Sequence, residues 1–323
     1  MIAQPDVTVP PNIRRLEDGR LVLVGGNHGV AQMFERGSST VPEERIEIFR
    51  RNHRTRKQWA DENGCTYSQW VFPDPIVLNA VTARLGYRSI FERSMPSDSR
   101  PNDLLYPIDH LFGRDDRLSM TDSHYTPVAN MHLAADVAER TLHIDASKVL
   151  ADLTSSMGPE REYVGDLGAQ CTPNICEIRR SPMVHPQIAS AANGVQAGNM
   201  GIMHLISSPK SITPRTLMIF GDSFFRSLLT ELARYWRKIV FCRTPFFHQE
   251  MMAAVKPDDV LCGLAERYFA STRPDTERPH FLAYPLMHGR STAPDAMFAT
   301  LWDEMIDANA LALNRCSFDR DRF

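Results

Sequence analysis

The sequence predicts an α/β fold with helices packed against a mainly parallel sheet, and three observations lead to it. Apolar strand-like runs alternate with helical runs, most regularly after residue 214. The connections between these runs are short, which is typical of parallel βαβ units in a layered fold. The 323 residues are 43% hydrophobic and 23% charged, a composition that indicates a globular protein with a substantial core.

The first part of the chain is predicted to contain two strands and two helices. RLVLVGG at 20–26 predicts a short buried strand that ends in glycines, and TYSQWVF at 66–72 predicts a second strand. A helix is predicted over 42–64, because proline stands near its start, acidic residues fill its first turn and glycine provides a stop. Another helix is predicted over 126–142, with Thr126 as its N-cap.

The segment of about 151–213 interrupts this regular pattern. It is rich in Gly, Pro, Ser and Asn, which predicts short strands and loops. We therefore expect a single domain over 1–323, in which a core of about 19–150 and 214–323 carries this segment as an insertion. After the insertion, strands are predicted over 216–220, 238–242 and 259–264, and helices over 224–236 and 248–255.

Charge and composition exclude several classes of function. The net charge is −3 with acidic and basic residues interleaved, so no footprint for nucleic acid is present, and RRNHRTRK at 50–57 is interpreted as a solvated helix face. The sequence contains no zinc-type cysteine pattern and no phosphate-binding loop, so no metal and no cofactor are predicted. No apolar run is long enough to span a membrane, and the N-terminal segment lacks the pattern of a signal peptide. The chain as given is therefore expected to be cytoplasmic.

A serine follows the first strand after the insertion, in MIFGDSFFRSLL at 218–229. Ser223 can serve as the N-cap of a helix that begins at Phe224, or as a nucleophile at the carboxyl edge of the sheet. The two interpretations are compatible, since a turn that starts a helix also directs backbone N–H groups at a developing oxyanion. Position 225 is Phe rather than Gly, which differs from the G-x-S-x-G turn of ordinary α/β-hydrolases.

A nucleophilic serine needs a base, and the base needs an orienting acid. His124, in SMTDSHYTPVAN at 119–130, lies two residues after Asp122 and just before a predicted helix. In an extended segment, side chains at i and i+2 project to the same side, so the carboxylate can reach the imidazole. The alternative is a turn in which Asp122 caps the local backbone and His124 lies on the surface.

TDSHYTP, followed about a hundred residues later by LMIFGDSFFRSLL, resembles the SGNH-hydrolase-like domain of the alginate O-acetyltransferase family, the AlgX/AlgJ type. That family carries its Asp-x-His element before its Gly-Asp-Ser element. GRLVLVGGN, WVFPDP, VGDLG and VKPDDVLCGLAERYF agree as well, so the resemblance extends from about residue 19 to 270. It implies a three-layer α/β/α fold with a mainly parallel sheet and a loop- and strand-rich insertion.

The resemblance also implies roles for individual residues. The catalytic serine, histidine and aspartate of the family correspond to Ser223, His124 and Asp122. The Arg/Tyr pair that follows the KPD strand corresponds to Arg267 and Tyr268, and Tyr268 is expected to contact the acyl oxyanion or a sugar.

Three further positions are candidates at the edges of this site. Tyr125 stands where relatives often have Trp after the histidine, a conservative change in an aromatic wall. Asn27 follows the first predicted strand, either as an oxyanion donor or as a capping residue of a glycine-rich turn. Arg226 lies one helical turn after Ser223 and is expected to support the site or to pair with Asp222.

The function implied is a serine-dependent O-acetyltransferase that acts on a polysaccharide or glycan. A carbohydrate acetylesterase with the same three residues, and a non-catalytic glycan-binding scaffold, are the alternatives. The expected partners are a carbohydrate acceptor and an acetyl donor. The resemblance is also compatible with a membrane-bound acyl-transfer partner in a polysaccharide assembly complex. The resemblance implies activity in the periplasm, so the compartment stays open between the two expectations.

Overall fold

The protein is described by a computed structural model that covers residues 7–26, 29–37, 41–196 and 198–311. The strands in these ranges are β1 (Ile13–Arg15), β2 (Leu21–Leu23), β3 (Thr66–Phe72), β4 (Leu104–Leu105), β5 (Arg161–Tyr163), β6 (Glu177–Arg179), β7 (Ala189–Ala192), β8 (Met203–Ser207), β9 (Thr216–Gly221), β10 (Lys238–Arg243) and β11 (Asp259–Ala265). The helices are α1 (Val30–Phe34), α2 (Glu43–Glu62), α3 (Pro75–Leu78), α4 (Ala80–Arg84), α5 (Ile90–Ser94), α6 (Ile108–Leu111), α7 (Pro127–Leu142), α8 (Ala146–Ser155), α9 (Ser223–Arg226), α10 (Leu229–Leu232), α11 (Gln249–Val255), α12 (Tyr284–Met287) and α13 (Phe298–Met305).

A seven-stranded sheet organises the described part of the chain, in the order β4-β3-β11-β9-β10-β8-β7. The five strands from β4 to β10 run parallel to one another. β8 pairs antiparallel with β10, and β7 pairs antiparallel with β8. The sheet is therefore mainly parallel, as predicted.

Helices cover both faces of this sheet because its central strands are apolar on both sides. Along β9, Leu217 and Ile219 belong to one hydrophobic core, whereas Met218 and Phe220 belong to the other. The first core is completed by α7, α9 and α10, and the second by α11 and α13. This alternation is typical of parallel sheets buried between two helical layers, and the predicted α/β/α fold class is confirmed.

The two long helices of the first half are confirmed. α2 lies within the predicted range 42–64, and α7 begins after Thr126, whose hydroxyl accepts a hydrogen bond from the Ala129 N–H at 3.3 Å. The single helix predicted over 224–236 is wrong, since the segment forms the short helices α9 and α10 with a turn between them. At that turn the Ser227 hydroxyl donates to the Phe224 carbonyl oxygen at 2.7 Å, a local bond that competes with regular helix.

The predicted first strand and the predicted insertion also differ in detail from the structure. β2 is short and pairs antiparallel with β1 in a separate two-stranded sheet. Within the range 151–213, β5 and β6 form another small sheet, but β7 and β8 extend the central sheet. The division into core and insertion remains a prediction. No helix in the described ranges combines the length and the apolar character needed to cross a membrane.

Candidate active site

Ser223 lies at the carboxyl end of β9, where the strand turns directly into α9. The N-cap of α9 is Asp222, whose Oδ1 accepts the Phe224 N–H at 2.9 Å and whose Oδ2 accepts the Ala265 N–H at 2.5 Å. Asp222 therefore performs the capping role considered for Ser223. Gly221 is required at this turn, because a Cβ atom there would lie 2.8 Å from Cδ2 of the buried Phe225 ring.

The structure brings the three predicted triad residues into one hydrogen-bonded chain. Asp122 Oδ1 lies 2.7 Å from His124 Nδ1, and His124 Nε2 lies 2.8 Å from Ser223 Oγ. A carboxylate only accepts hydrogen bonds, so Nδ1–H donates to Asp122, and Nε2 can then accept from the Ser223 hydroxyl. Asp122 also accepts the His124 backbone N–H at 2.9 Å, which fixes the imidazole relative to the carboxylate.

Tyr163 completes the surroundings of the carboxylate, because its hydroxyl donates to Asp122 Oδ2. Burial raises the pKa of Asp122, but the hydrogen bond and charge of His124 and the hydrogen bond from Tyr163 outweigh it and hold that pKa far below its usual range. Burial and the neighbouring Asp122 carboxylate raise the pKa of Tyr163 to about 12. The carboxylate is therefore ionised and the phenol protonated at neutral pH.

The loop that carries Asp122 and His124 is held by the predicted insertion. Ser123 donates to Asp166 from its backbone N–H at 2.7 Å and from its hydroxyl at 2.5 Å. A Cβ at Gly165 would collide with the Thr121 carbonyl oxygen, and a Cβ at Gly168 would collide with the Ile175 carbonyl oxygen and lie 3.0 Å from Thr121 Cβ. Sequence reasoning missed the roles of Tyr163 and Asp166, although the glycine spacing in VGDLG at 164–168 was a signal for this contact.

Ser223 and His124 open into a cleft of about 530 Å³. Tyr125 and Arg226 line it, as predicted for residues at the edges of the site. The Tyr125 ring packs edge-on against Phe224, with 4.9 Å between ring centroids, and its hydroxyl donates to the Pro73 carbonyl oxygen. Its polar end is thus used inside the protein. Arg226 is exposed, and among the described residues it forms no ion pair with Asp222.

Two other candidates lie away from this cleft. Arg267 is buried, and its Nε lies 2.8 Å from Asp74 Oδ2, an internal ion pair beneath the site. Tyr268 lines a second cavity of about 270 Å³, which Asp222 also lines. Neither Arg267 nor Tyr268 is among the described residues that line the cleft of Ser223 and His124. Asn27 lies outside the described residues.

Asp122, His124 and Asp166 are close enough to be considered as metal ligands, since one ligand atom from each lies within 4.8 Å of the others. Both ring nitrogens of His124 already have partners, however, and Asp166 accepts two hydrogen bonds from Ser123. A cation would have to replace these bonds. The arrangement is better suited to moving a proton from Ser223 Oγ to Nε2 while Oγ attacks a carbonyl carbon.

No family model matches the sequence, and no curated protein matches it either. The structure is similar to a DHHW family protein from Eubacterium siraeum, with a TM-score of 0.53 and 12% identity over 83% of this chain and 95% of that one. It is similar to Bacillus cereus PatB1, with a TM-score of 0.50 and 10% identity over 80% of this chain and 96% of that one. The fold is shared. The O-acetyltransferase domain of Pseudomonas putida AlgJ aligns with a TM-score of 0.47 and 13% identity, over 87% of this chain and all of that one.

Proposed function

We propose that the protein is a serine-dependent O-acetyltransferase that acts on a polysaccharide or other glycan. The observation that carries the proposal is the chain of two hydrogen bonds, 2.7 and 2.8 Å long, that links Asp122, His124 and Ser223 at the mouth of a cleft. The order of the motifs, TDSH before GDS, supports it as well. A carbohydrate is the acceptor in this proposal, and an acetyl ester is the donor.

In the first half-reaction, Ser223 Oγ attacks the carbonyl carbon of the acetyl donor while His124 Nε2 takes the hydroxyl proton. Asp122 stabilises the imidazolium that forms. When the tetrahedral intermediate collapses, the bond to the donor oxygen breaks and that oxygen receives the proton from Nε2. The acetyl group is then an ester of Ser223.

In the second half-reaction, a sugar hydroxyl gives its proton to His124 Nε2 and attacks the acetyl carbon. The bond to Ser223 Oγ breaks, and Oγ regains the proton. The backbone N–H of Ser223 and the side chain of Asn27 are proposed as the donors to the oxyanion in both steps. Water in place of the sugar hydroxyl would make the same residues an esterase.

We propose that a membrane-bound acyl-transfer partner supplies the acetyl group, and that the reaction takes place in the periplasm. Both follow from the resemblance of the motifs to the alginate O-acetyltransferase type. The cleft, at about 530 Å³, supports the carbohydrate acceptor, because it leaves room for a sugar unit beside Ser223.

The test uses p-nitrophenyl acetate as donor, with and without oligosaccharides, and mass spectrometry of the sugars. We expect p-nitrophenol release and acetylated sugar from the parent protein, and neither from Ser223→Ala. Ser155→Ala, which changes an exposed serine of α8, is the matched control and should behave like the parent. Release without acetylated sugar would identify an esterase. Activity that persists in Ser223→Ala would overturn the proposal.

A further inference from the structure

One face of the segment after Ser223 forms a wall of the cleft. The cleft-lining residues of this segment are Ser223, Arg226, Ser227, Thr230 and Glu231. Their spacing of three and four residues places them on one side of a helical path. Ser223 begins α9, and Glu231 lies in α10, beyond the turn between the two helices. The wall therefore begins at the nucleophile and ends at a carboxyl group.

Glu231 is only 3% exposed, and one oxygen of its carboxyl group has no hydrogen-bond partner among the described residues. Its Oε2 is buried and accepts no hydrogen bond from any described residue. Burial raises the pKa of Glu231 to about 7, and no charged side chain contributes to that shift. A carboxyl group in this condition is costly to keep unless something outside the protein satisfies it.

A second buried acceptor lies on the facing helix. Asn130 of α7 is 6% exposed and lines the same cleft. Its Nδ2 donates to the Ser227 carbonyl oxygen at 3.1 Å, which fixes the amide, while its Oδ1 is buried and has no partner among the described residues. Two residues that line one cleft, one from each wall, thus each carry an oxygen acceptor without a donor among the described residues.

We propose that Glu231 and Asn130 form a subsite for the acceptor, in which their oxygens receive O–H or N–H donors from a sugar unit next to the one that is acetylated. The inference rests on the proposed acetyl transfer at Ser223. It assigns the acceptor to sugars that carry hydroxyl or amino groups at this unit. A carboxylate offers no hydrogen-bond donor to these two acceptors, so the subsite selects against a uronate that places its carboxylate there.

The test compares Glu231→Leu with the parent in three measurements. Thermal unfolding should show equal or higher stability, because an unpaired buried carboxyl is replaced by an apolar side chain of similar size. KM for a cello-oligosaccharide or a chitosan oligosaccharide should rise at least about tenfold, since hydrogen bonds to a charged or chargeable group are lost. Acetyl release from p-nitrophenyl acetate, which uses no sugar, should fall by less than the transfer does.

Glu231→Gln retains an oxygen acceptor and should restore KM to within a few-fold of the parent. Glu62→Leu, at the exposed end of α2, is the matched control and should leave all three measurements unchanged. An increase in KM for chitosan alone identifies amino groups as the donors, and an increase for both oligosaccharides identifies hydroxyl groups. A protein that uses an oligouronate as readily as these sugars, or a Glu231→Leu variant with the KM of the parent, would overturn the inference.

A binding measurement separates this inference from the proposed reaction. The same oligosaccharides are titrated by calorimetry into Ser223→Ala and into Ser223→Ala/Glu231→Leu. Weaker binding to the double variant supports the subsite even if the parent shows no acetyl release, in which case only the proposed reaction fails. Equal binding, or none to either variant, overturns the subsite whatever the parent does with the acetyl donor.

Discussion

Two hydrogen-bonded chains of side chains, each made of a hydroxyl, an imidazole and a carboxylate, lie at the carboxyl ends of the neighbouring parallel strands β9 and β10. After β9, Ser223, His124 and Asp122 are joined by distances of 2.8 and 2.7 Å. After β10, Thr244 Oγ1 lies 3.1 Å from Nε2 of His248, and Nδ1 lies 2.8 Å from a glutamate oxygen. In both chains the imidazole and the carboxylate are two residues apart in the sequence.

The surroundings of the two chains differ. The His124 side chain is 25% exposed and opens into the cleft, whereas His248 is completely buried. Burial lowers the pKa of His248 and raises that of Glu250, but the hydrogen bond from His248 and the nearby Arg278 outweigh it and lower the Glu250 pKa to about 2. Arg278 Nη2 lies 2.8 Å from Glu250 Oε2. The order of the groups is therefore the same, and the exposure of the imidazole to the cleft distinguishes the Ser223 network from the buried one.

The largest effect should come from removing the hydroxyl of Ser223, and removing the hydroxyl of Thr244 is the comparison. Ser223→Ala should lower the rate of acetyl transfer at least about 10³-fold, because the nucleophile is lost. Thr244→Val, which removes the corresponding hydroxyl of the buried chain, should leave the rate within a few-fold of the parent. Steady-state kinetics with p-nitrophenyl acetate check both. Equal losses in the two variants would show that the buried chain contributes to catalysis.

The two histidines should show the opposite order in stability. His248→Ala should lower the free energy of unfolding by about 3 kcal/mol, since it opens a buried cavity and leaves polar partners unsatisfied. His124→Ala should lower it by less, because that side chain borders solvent and Tyr163 still donates to the Asp122 carboxylate. Urea unfolding at neutral pH measures both. A His124→Ala variant as unstable as His248→Ala would remove the distinction between the two networks.

The contributions of two buried carboxyl groups to the free energy of unfolding should change with pH in opposite directions. The pKa of Glu250 is lowered to about 2, so its contribution to stability is present above pH 4.5 and is lost as the pH falls towards 2. The pKa of Glu231 is raised to about 7, so it costs stability as the pH rises from 4.5 through 7. Glu231→Gln should therefore gain up to about 3 kcal/mol over the parent at pH 8, at ~1.4 kcal/mol per pKa unit.

Unfolding of Glu231→Gln and of the parent between pH 5 and 8 checks the sign. A stability difference that shrinks with rising pH would contradict the interpretation of Glu231 as an unpaired carboxyl. The corresponding Glu250→Gln variant should be less stable than the parent at neutral pH, because Arg278 loses its carboxylate partner.

The smallest effect should come from Tyr163→Phe. Without the phenol, the Asp122 carboxylate loses a hydrogen bond, so kcat should fall about tenfold across the kcat–pH profile. Tyr235→Phe is the matched control, since its hydroxyl also donates to an aspartate, Asp152 Oδ2, at 3.0 Å, but outside the cleft. The control should leave the profile unchanged. An unchanged profile in Tyr163→Phe would show that Asp122 does not depend on this bond.

The sequence was sufficient for the fold class and for bringing the triad together. Apolar β-strands with short connections determine a parallel sheet, and the end of β9 places Ser223 at its carboxyl edge. The spacing of Asp122 and His124 indicated their mutual contact, because a separation of two residues is a local property of the backbone.

The contacts by which the predicted insertion supports Asp122 could not be predicted in the same way. Tyr163 reaches Asp122 across 41 residues, through a segment without periodicity, so no local pattern encodes the contact. Asp222 rather than Ser223 is the N-cap, and its second carboxylate oxygen accepts the N–H of Ala265, which belongs to a neighbouring strand and is remote in the sequence. Arg267 was assigned to the site from resemblance, whereas its buried partner Asp74 accounts for its position.

Covalent labelling compares the two hydrogen-bonded chains, that of Ser223 and that of Thr244, most directly. The parent protein is treated with a sulfonyl fluoride that modifies activated hydroxyl groups, and its peptides are analysed by mass spectrometry. We predict modification of Ser223, no modification of Thr244, and labelling of Ser223 at least about 100-fold slower in His124→Ala, where the general base is missing. An unmodified Ser223, or labelling at the parental rate in His124→Ala, would contradict the account.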